Sequence, residues 1–264
     1  MKIDASTRAL VTGPSRGIGR AIAKALAARG ATIGLASRSR DELDALAFEL
    51  PGSHHVLQCD VGERASAEGA VEGMVAAAGG LDLVIANAGV AHYGPLRDMP
   101  VEEIEQMTRV NWLGTVYIVK AALPHLLAQG RGHIVLVSSG AGHRAFPWAA
   151  GYGATKAAQR AFGEALRHEL GGTGVSLTTV FPGEIVSSLH EGEETMPPWY
   201  RGEGKAAPAA PLAEKLMDAI ENDRRGLFHP PVVKALAVLH GASPRAADVL
   251  LRRLRGTSAA PRRD

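Results

Sequence analysis

Tyr152 and Lys156 stand four residues apart in the run YGATK, at the start of a segment with helical period. That spacing puts both on one helical face, within reach of each other. A phenol titrates near ~10 in water and exchanges protons poorly at neutral pH, whereas a neighbouring ammonium favours its phenolate. The pair is therefore a candidate for acid–base chemistry. Ser139 lies thirteen residues earlier, just past the apolar run HIVLVS. On the carboxyl edge of a sheet its hydroxyl could donate to a carbonyl oxygen. Asn111 falls in a stripe with Ile104, Met107, Thr115, Ile118 and Ala122 along a helical segment, 101–128. A buried amide needs partners, so Asn111 is either a satisfied structural residue or part of a proton relay. Taken alone, Tyr-xxx-Lys also describes an amphipathic pair at a surface.

The other chemistry-bearing run is TGPSRGIG at residues 12–19, between an apolar strand-like run and a helical one. Gly13, Gly17 and Gly19 allow a tight turn, close approach to a ligand and packing of helix on strand, and the helix start presents free amides to a pyrophosphate. The spacing is not GxGxxG, and no Lys-Ser/Thr follows to make a P-loop. A purely structural glycine turn is the plainer reading. The end of the second strand-like run carries Ser37-Arg38, where a site for NAD would place an acid against the ribose hydroxyls. Arg38, with Arg16 inside the glycine loop, can instead bind a 2′-phosphate through charge-assisted hydrogen bonds. NADP(H) is thus expected over NAD(H), against the alternative that both arginines are solvated surface residues.

The elements that must position these residues are short apolar runs at 8–12, 31–36, 54–59, 81–86, 132–138, 175–181 and 226–229. Helical stretches lie between them at 17–29, 40–49, 63–78, 101–128, 152–170 and 212–223. Strands without polar alternation are covered on both faces. Their alternation with helices predicts right-handed crossovers and an α/β fold, a doubly wound parallel sheet with helices on both faces. The stretch 190–211 is polar, rich in Pro and Gly and without clear period, so it reads as a substrate lid or loop.

The 264 residues leave room for a substantial core. Lys+Arg 29 against Asp+Glu 27 is a near balance and gives no whole-molecule case for nucleic-acid binding. The single cysteine, Cys59, excludes an intramolecular disulfide framework and reads as an inert core residue. The ten histidines show no metal-ligand spacing, and no metal is expected. No run resembles a signal peptide or approaches a membrane span, so a cytoplasmic protein is expected.

Together, TGPSRGIG, Asp60, ANAG at 86–89, Asn111, Ser139, YGATK and PG at 182–183 resemble the short-chain dehydrogenase/reductases, over about residues 7–190. The resemblance implies a single Rossmann-like domain with a seven-stranded sheet and NAD(P)-linked interconversion of a carbonyl and its alcohol. It implies Asn111, Ser139, Tyr152 and Lys156 as the catalytic set, with Tyr152 as acid/base and Lys156 also holding the nicotinamide ribose. Cofactor contacts would come from Gly13, Ser15, Arg16, Gly17, Ile18, Gly19, Ser37, Arg38, Asp60, Val61, Asn87, Ala88, Gly89, Pro182, Gly183, Ile185 and Ser187. Ser187 stands where the family usually has Thr. Pro14 departs from a usually small residue and removes one amide donor. A catalytically silent NADP-binding protein, serving regulation or assembly, is the rival reading.

The catalytic unit is expected over residues 1–231, with 187–211 as its loop, and a helical extension and basic tail over 232–264. That extension argues against the usual tetramer and towards a homodimer. The last twenty residues hold six Arg and two Asp, so the apparent basicity belongs to the tail. Val249, Leu250, Leu251 and Leu254 beside Arg252, Arg253 and Arg255 suit a helix that covers its own domain or a partner, or else one lying on an anionic membrane. His92, Tyr93, Phe146, Trp148, Met196, Trp199 and Tyr200 lie in segments expected around the nicotinamide, which suggests a hydrophobic ketone or aldehyde as substrate.

Overall fold

The computed structural model describes residues 1–186 and 206–255. Seven strands form one parallel sheet: β1 (Arg8–Thr12), β2 (Thr32–Ser37), β3 (His55–Gln58), β4 (Leu83–Ala86), β5 (Gly132–Val137), β6 (Val175–Pro182) and β7 (Gly226–His229). Their spatial order is β3-β2-β1-β4-β5-β6-β7. The chain therefore winds outward from β1 to β3, returns across the sheet, and winds outward again from β4. The reversal opens a crevice at the carboxyl ends of β1 and β4, which is where such sheets bind ligands.

Helices α1 (Gly17–Ala27) and α2 (Arg40–Glu49) cover one face of the sheet, α3 (Arg64–Ala78) the other. Next come α4 (Val101–Met107), α5 (Gly114–Ala128), α6 (Ala150–Glu169) and α7 (Ala209–Glu221). Ile22 and Leu26 of α1, Leu43 and Leu46 of α2 and Leu212, Leu216 and Ile220 of α7 pack with Val11, Ile33, Leu35 and Ile85 on one face. Val71 and Met74 of α3, Ile118 and Ala122 of α5 and Leu166 of α6 pack with Leu10, Val84, Ile134 and Leu136 on the opposite one. Successive strand residues point to opposite faces, and both faces are covered, so the strands read as continuous apolar runs.

Two elements differ from the sequence-based expectation. The segment 101–128 is not one uniform helix, since Thr108–Leu113 forms a π-helical turn between α4 and α5. At this turn the Asn111 carbonyl accepts from Gln159 Nε2 at 2.9 Å and from the Thr115 hydroxyl at 2.8 Å. Such turns cluster at functional sites. The C-terminal segment is two helices, α8 (Val232–Ala242) and α9 (Pro244–Arg255). Pro244 lacks the amide to continue α8, and Ser243 is extended at φ −155°. α9 packs through Ala247, 1% exposed, while Val249 and Leu250 stay 48% and 37% exposed. Among the described residues, no helix is long and apolar enough to cross a membrane, and no group of three or more His, Cys, Asp or Glu could hold a metal.

Candidate active site

The glycine turn follows β1 directly. Gly13 sits at φ +63°, a left-handed conformation that L side chains rarely adopt. A Cβ on Gly19 would lie 2.0 Å from the Gly13 carbonyl oxygen, so α1 can start this close to the turn only with glycine there. No side chain caps the first turn of α1, whose cap residue is Arg16. Its leading amides thus face the crevice as a ready anion site. The turn is braced from β4: Asn87 Nδ2 donates to the Thr12 and Gly13 carbonyls at 2.9 and 3.0 Å. The Thr12 hydroxyl in turn accepts from the Asn87 and Ala88 amides, each at 3.0 Å.

At the end of β2, the Ser37 Oγ is buried and has no hydrogen-bond partner, an unusual condition for a buried hydroxyl. Arg38 and Arg16, both exposed, border the same cavity. So does Glu42 in the first turn of α2, an acid that the strand-end reading did not weigh. On the neighbouring strand, Asp60 Oδ1 accepts from the Gly62 amide at 2.9 Å, which fixes the turn after β3.

The candidate catalytic side chains meet at the carboxyl ends of β4, β5 and β6. Ser139 lies two residues past the end of β5, and its Oγ accepts from the Ala141 amide at 3.1 Å. Tyr152 and Lys156 lie in the first two turns of α6, 8% and 4% exposed. Lys156 Nζ donates to the Val137 carbonyl at 3.0 Å and stands 5.8 Å from the centre of the Tyr152 ring. The Ser138 hydroxyl donates to the Lys156 carbonyl at 2.7 Å, tying β5 to α6. Burial pushes the Tyr152 phenol up to about 12, opposed by a hydrogen bond with Ser139. Burial also pulls the Lys156 ammonium down to about 7. Both groups are thus driven towards their neutral forms, because burial disfavours the charged form of each.

Asn111 is fully buried and does not border the cavity. Its Oδ1 accepts from the Val90 amide at 2.8 Å, and its Nδ2 donates to the Val90 carbonyl at 2.9 Å and the Thr155 hydroxyl at 3.1 Å. Thr155 then donates to the Tyr152 carbonyl at 2.8 Å. Asn111 therefore ties the chain after β4 to the helix carrying Tyr152 and Lys156. Thr12, Ser138, Thr155 and Gln159 are supporting residues that the sequence motifs did not single out. Their signal was available only as polar side chains inside otherwise apolar or catalytic runs.

One cavity of about 950 Å³ joins the glycine turn to Ser139, Tyr152 and Lys156. Gly13, Ser15, Arg16, Gly17, Ile18, Gly19, Ser37, Arg38, Asp60, Val61, Asn87, Ala88, Gly89, Pro182, Gly183 and Ile185 all border it. Ser187 lies outside the described residues, as do Met196, Trp199 and Tyr200. Of the aromatic residues expected here, Tyr93 and Phe146 border the cavity, whereas His92 and Trp148 do not. Unexpected neighbours are Arg144 and four residues of α8: Val232, Val233, Leu236 and Ala237.

Residues 7–197 match the family model for short chain dehydrogenases. The chain belongs to that family. It is 35% identical over 212 residues to an uncharacterized oxidoreductase of Staphylococcus epidermidis, covering 80% of this chain and 90% of that one. Among solved structures, an alcohol dehydrogenase from Thermococcus sibiricus in complex with 5-hydroxy-NADP is 30% identical. It superposes with a TM-score of 0.73, covering 84% of this chain and 94% of that one. A short-chain dehydrogenase/reductase from Burkholderia phymatum in complex with NAD has a TM-score of 0.85 at 23% identity, over 93% and 96% of the two chains, and shares the fold. This short-chain dehydrogenase is accordingly an oxidoreductase of a family that works with a nicotinamide dinucleotide, built on a seven-stranded Rossmann-like sheet.

Proposed function

We propose that the protein is an NADP(H)-dependent reductase of hydrophobic ketones or aldehydes, with Tyr152 as its acid/base. The carrying observation is that Ser139, Tyr152 and Lys156 border the same cavity as the glycine turn and the Ser37–Arg38 strand end. The residues fit a dinucleotide. The Gly13–Gly19 turn leaves backbone where a pyrophosphate would approach, and the buried Ser37 hydroxyl, flanked by Arg16 and Arg38, lacks the acceptor or donor that a ribose phosphate supplies. Asp60, Val61, Ala88 and Gly89 would wall the adenosine and nicotinamide riboses. Pro182, Gly183 and Ile185 would flank the nicotinamide.

When bound, the reduced dinucleotide supplies the hydride that reaches the carbonyl carbon. The protein's own residues handle the oxygen. Ser139 donates to the carbonyl oxygen and orients it, and Tyr152 delivers a proton to that oxygen as its negative charge develops. A phenol that burial holds in its protonated form is ready for this role. Lys156, fixed by Val137, holds the ribose, and the proton that Tyr152 gives up is replaced from solvent; Asn111 is the positioning residue that sets α6 through Thr155. The same groups serve alcohol oxidation in reverse, and the NADP preference favours reduction. We also assign a homodimer. We place the protein in the cytoplasm.

The test is consumption of NADPH and NADH with a panel of hydrophobic carbonyls, for wild type and Tyr152→Phe. Loss of the general acid should lower the rate about a thousandfold while dinucleotide binding persists. Turnover that survives the Phe change would remove Tyr152 from its role. NADPH binding with no turnover of any carbonyl would instead identify a catalytically silent binding protein.

A further inference from the structure

Helix α8 is joined to the catalytic loops more closely than a simple tail would be. A Cβ on Gly140, the residue after Ser139, would meet Val233 at 2.8 Å, and one on Gly183 would meet Val233 at 2.9 Å. Val233 is thus wedged between the two loops that flank the reacting centre, and a side chain at either glycine would force it to shift. The Gly183 amide also donates to the His229 carbonyl at 2.7 Å, which fixes the chain just before α8. From this anchor, Val232, Leu236 and Ala237 border the cavity. A second anchor comes from α9, where Asp248 forms an ion pair with Arg144 at 2.5 Å. Arg144 also donates to the Ala145 carbonyl. It borders the cavity five residues after Ser139.

We propose that α8 and α9 are the specificity element for the non-reacting part of the substrate: Leu236 and Ala237 limit its size, and the Arg144–Asp248 pair holds that wall in place. The proposal rests on the reductase reading and narrows its substrate class to neutral carbonyl compounds with a sizeable apolar group. A polar group pressed against Val232, Leu236 and Ala237 would lose water without gaining a partner. An anionic group gains nothing from Arg144, whose charge is already matched by Asp248. Asp248 touches no reacting atom and acts as a positioning residue.

The discriminating substrates are butanal and the fused-ring ketone decalone. Ala237→Phe fills the wall and should lower the ratio of kcat/KM for decalone over butanal at least about tenfold, since even a single methylene in an apolar pocket has effects of that size. Leu236→Ala should move the ratio the opposite way. Asp248→Asn should raise KM for decalone with little change in kcat, and Asp248→Glu, which keeps the charge, should restore it. A ratio unmoved by both wall variants, or an Asp248→Asn effect confined to kcat, overturns the proposal. Calorimetric binding of decalone to the NADP-saturated Tyr152→Phe protein supplies a readout independent of turnover. Weaker binding on adding Ala237→Phe supports the wall even if no carbonyl is reduced, whereas absent or unchanged binding rejects it. Failure of the reductase reading shows separately, as absence of turnover in the wild type.

Discussion

Lys156 offers a direct measurement of how dry the site is. In water its ammonium would titrate at 10.5, and burial in the fold brings it down to about 7. Between those values the unfolded chain holds a proton that the folded protein lacks. Stability attributable to this residue therefore rises with pH, by up to about 1.4 kcal/mol per pH unit. It is fully recovered above the unfolded pKa and is lost as pH falls towards 7. Over the whole window this amounts to several kcal/mol, a large fraction of the stability of an ordinary domain. The neutral amine still satisfies the Val137 carbonyl, so what disappears with rising pH is the cost of the buried charge.

The perturbation is Lys156→Met, which keeps the length of the side chain and removes the titration. Urea unfolding of wild type and variant, without dinucleotide, is followed from pH 6 to about 9.5, with the upper limit chosen to stay below the titration of unfolded tyrosine near ~10. Tyr152 must be avoided because its folded phenol is raised to about 12 and would reduce stability as pH climbs beyond 10. The difference between the two proteins should be flat below pH 7. Above it, the wild type should gain on the variant along a line approaching the one-proton slope. A difference independent of pH across the range would mean that Lys156 keeps its charge in the fold, and the dry-site argument would fail.

Three further outcomes follow from other contacts. Arg38→Asp should lower affinity for NADPH relative to NADH by at least about tenfold, read by fluorescence titration with each dinucleotide; an unchanged ratio would place the phosphate elsewhere. Asp82 is 6% exposed, and although burial raises its carboxyl pKa, hydrogen bonds from the Arg8 side chain and amide hold it below its usual value. Asp82→Asn should cost about 2–4 kcal/mol in urea unfolding at pH 7, and the gap should narrow as pH falls through the depressed carboxyl pKa. Thr12→Val, which keeps the shape but removes the acceptor for the Asn87 and Ala88 amides, should destabilise by about 1–3 kcal/mol, and dinucleotide affinity should fall with it.

Most of the sheet was legible because each strand is a short apolar run bounded by helices, and that pattern survives without knowledge of contacts. The elements that escaped are those where a partner distant in sequence decides the conformation. The π turn at 108–113 depends on Gln159, 48 residues from Asn111, and no local propensity encodes it. The role of α8 was hidden for the same reason. Val232, Val233, Leu236 and Ala237 read as an apolar tail until Gly140 and Gly183 are seen beside Val233. The candidate site was legible where motifs concentrate chemistry into a few residues, as in YGATK. Its supports were not, since Thr12 and Ser138 look in sequence like ordinary strand-end hydroxyls.

Those supports explain how a dry site can also be an ordered one. Apolar packing is non-directional and tolerates small shifts, whereas a buried hydrogen bond fixes distance and angle together. The crevice lies where the chain reverses across the sheet, so its two walls belong to segments that are not sequential neighbours. Asn87 and Thr12 tie the β4 end to the β1 turn, and Asn111 and Thr155 tie the β4 exit to α6. Ser138 ties β5 to α6. Apart from the Thr155–Tyr152 bond inside α6, these bonds cross from one element to another, so the position of Tyr152 relative to the glycine turn is set by a short chain of directional contacts. Loosening any one of them would admit water as well as movement, and water would return Lys156 towards its ordinary pKa. The ordering of the site and the shifts of its titratable groups therefore have a common origin.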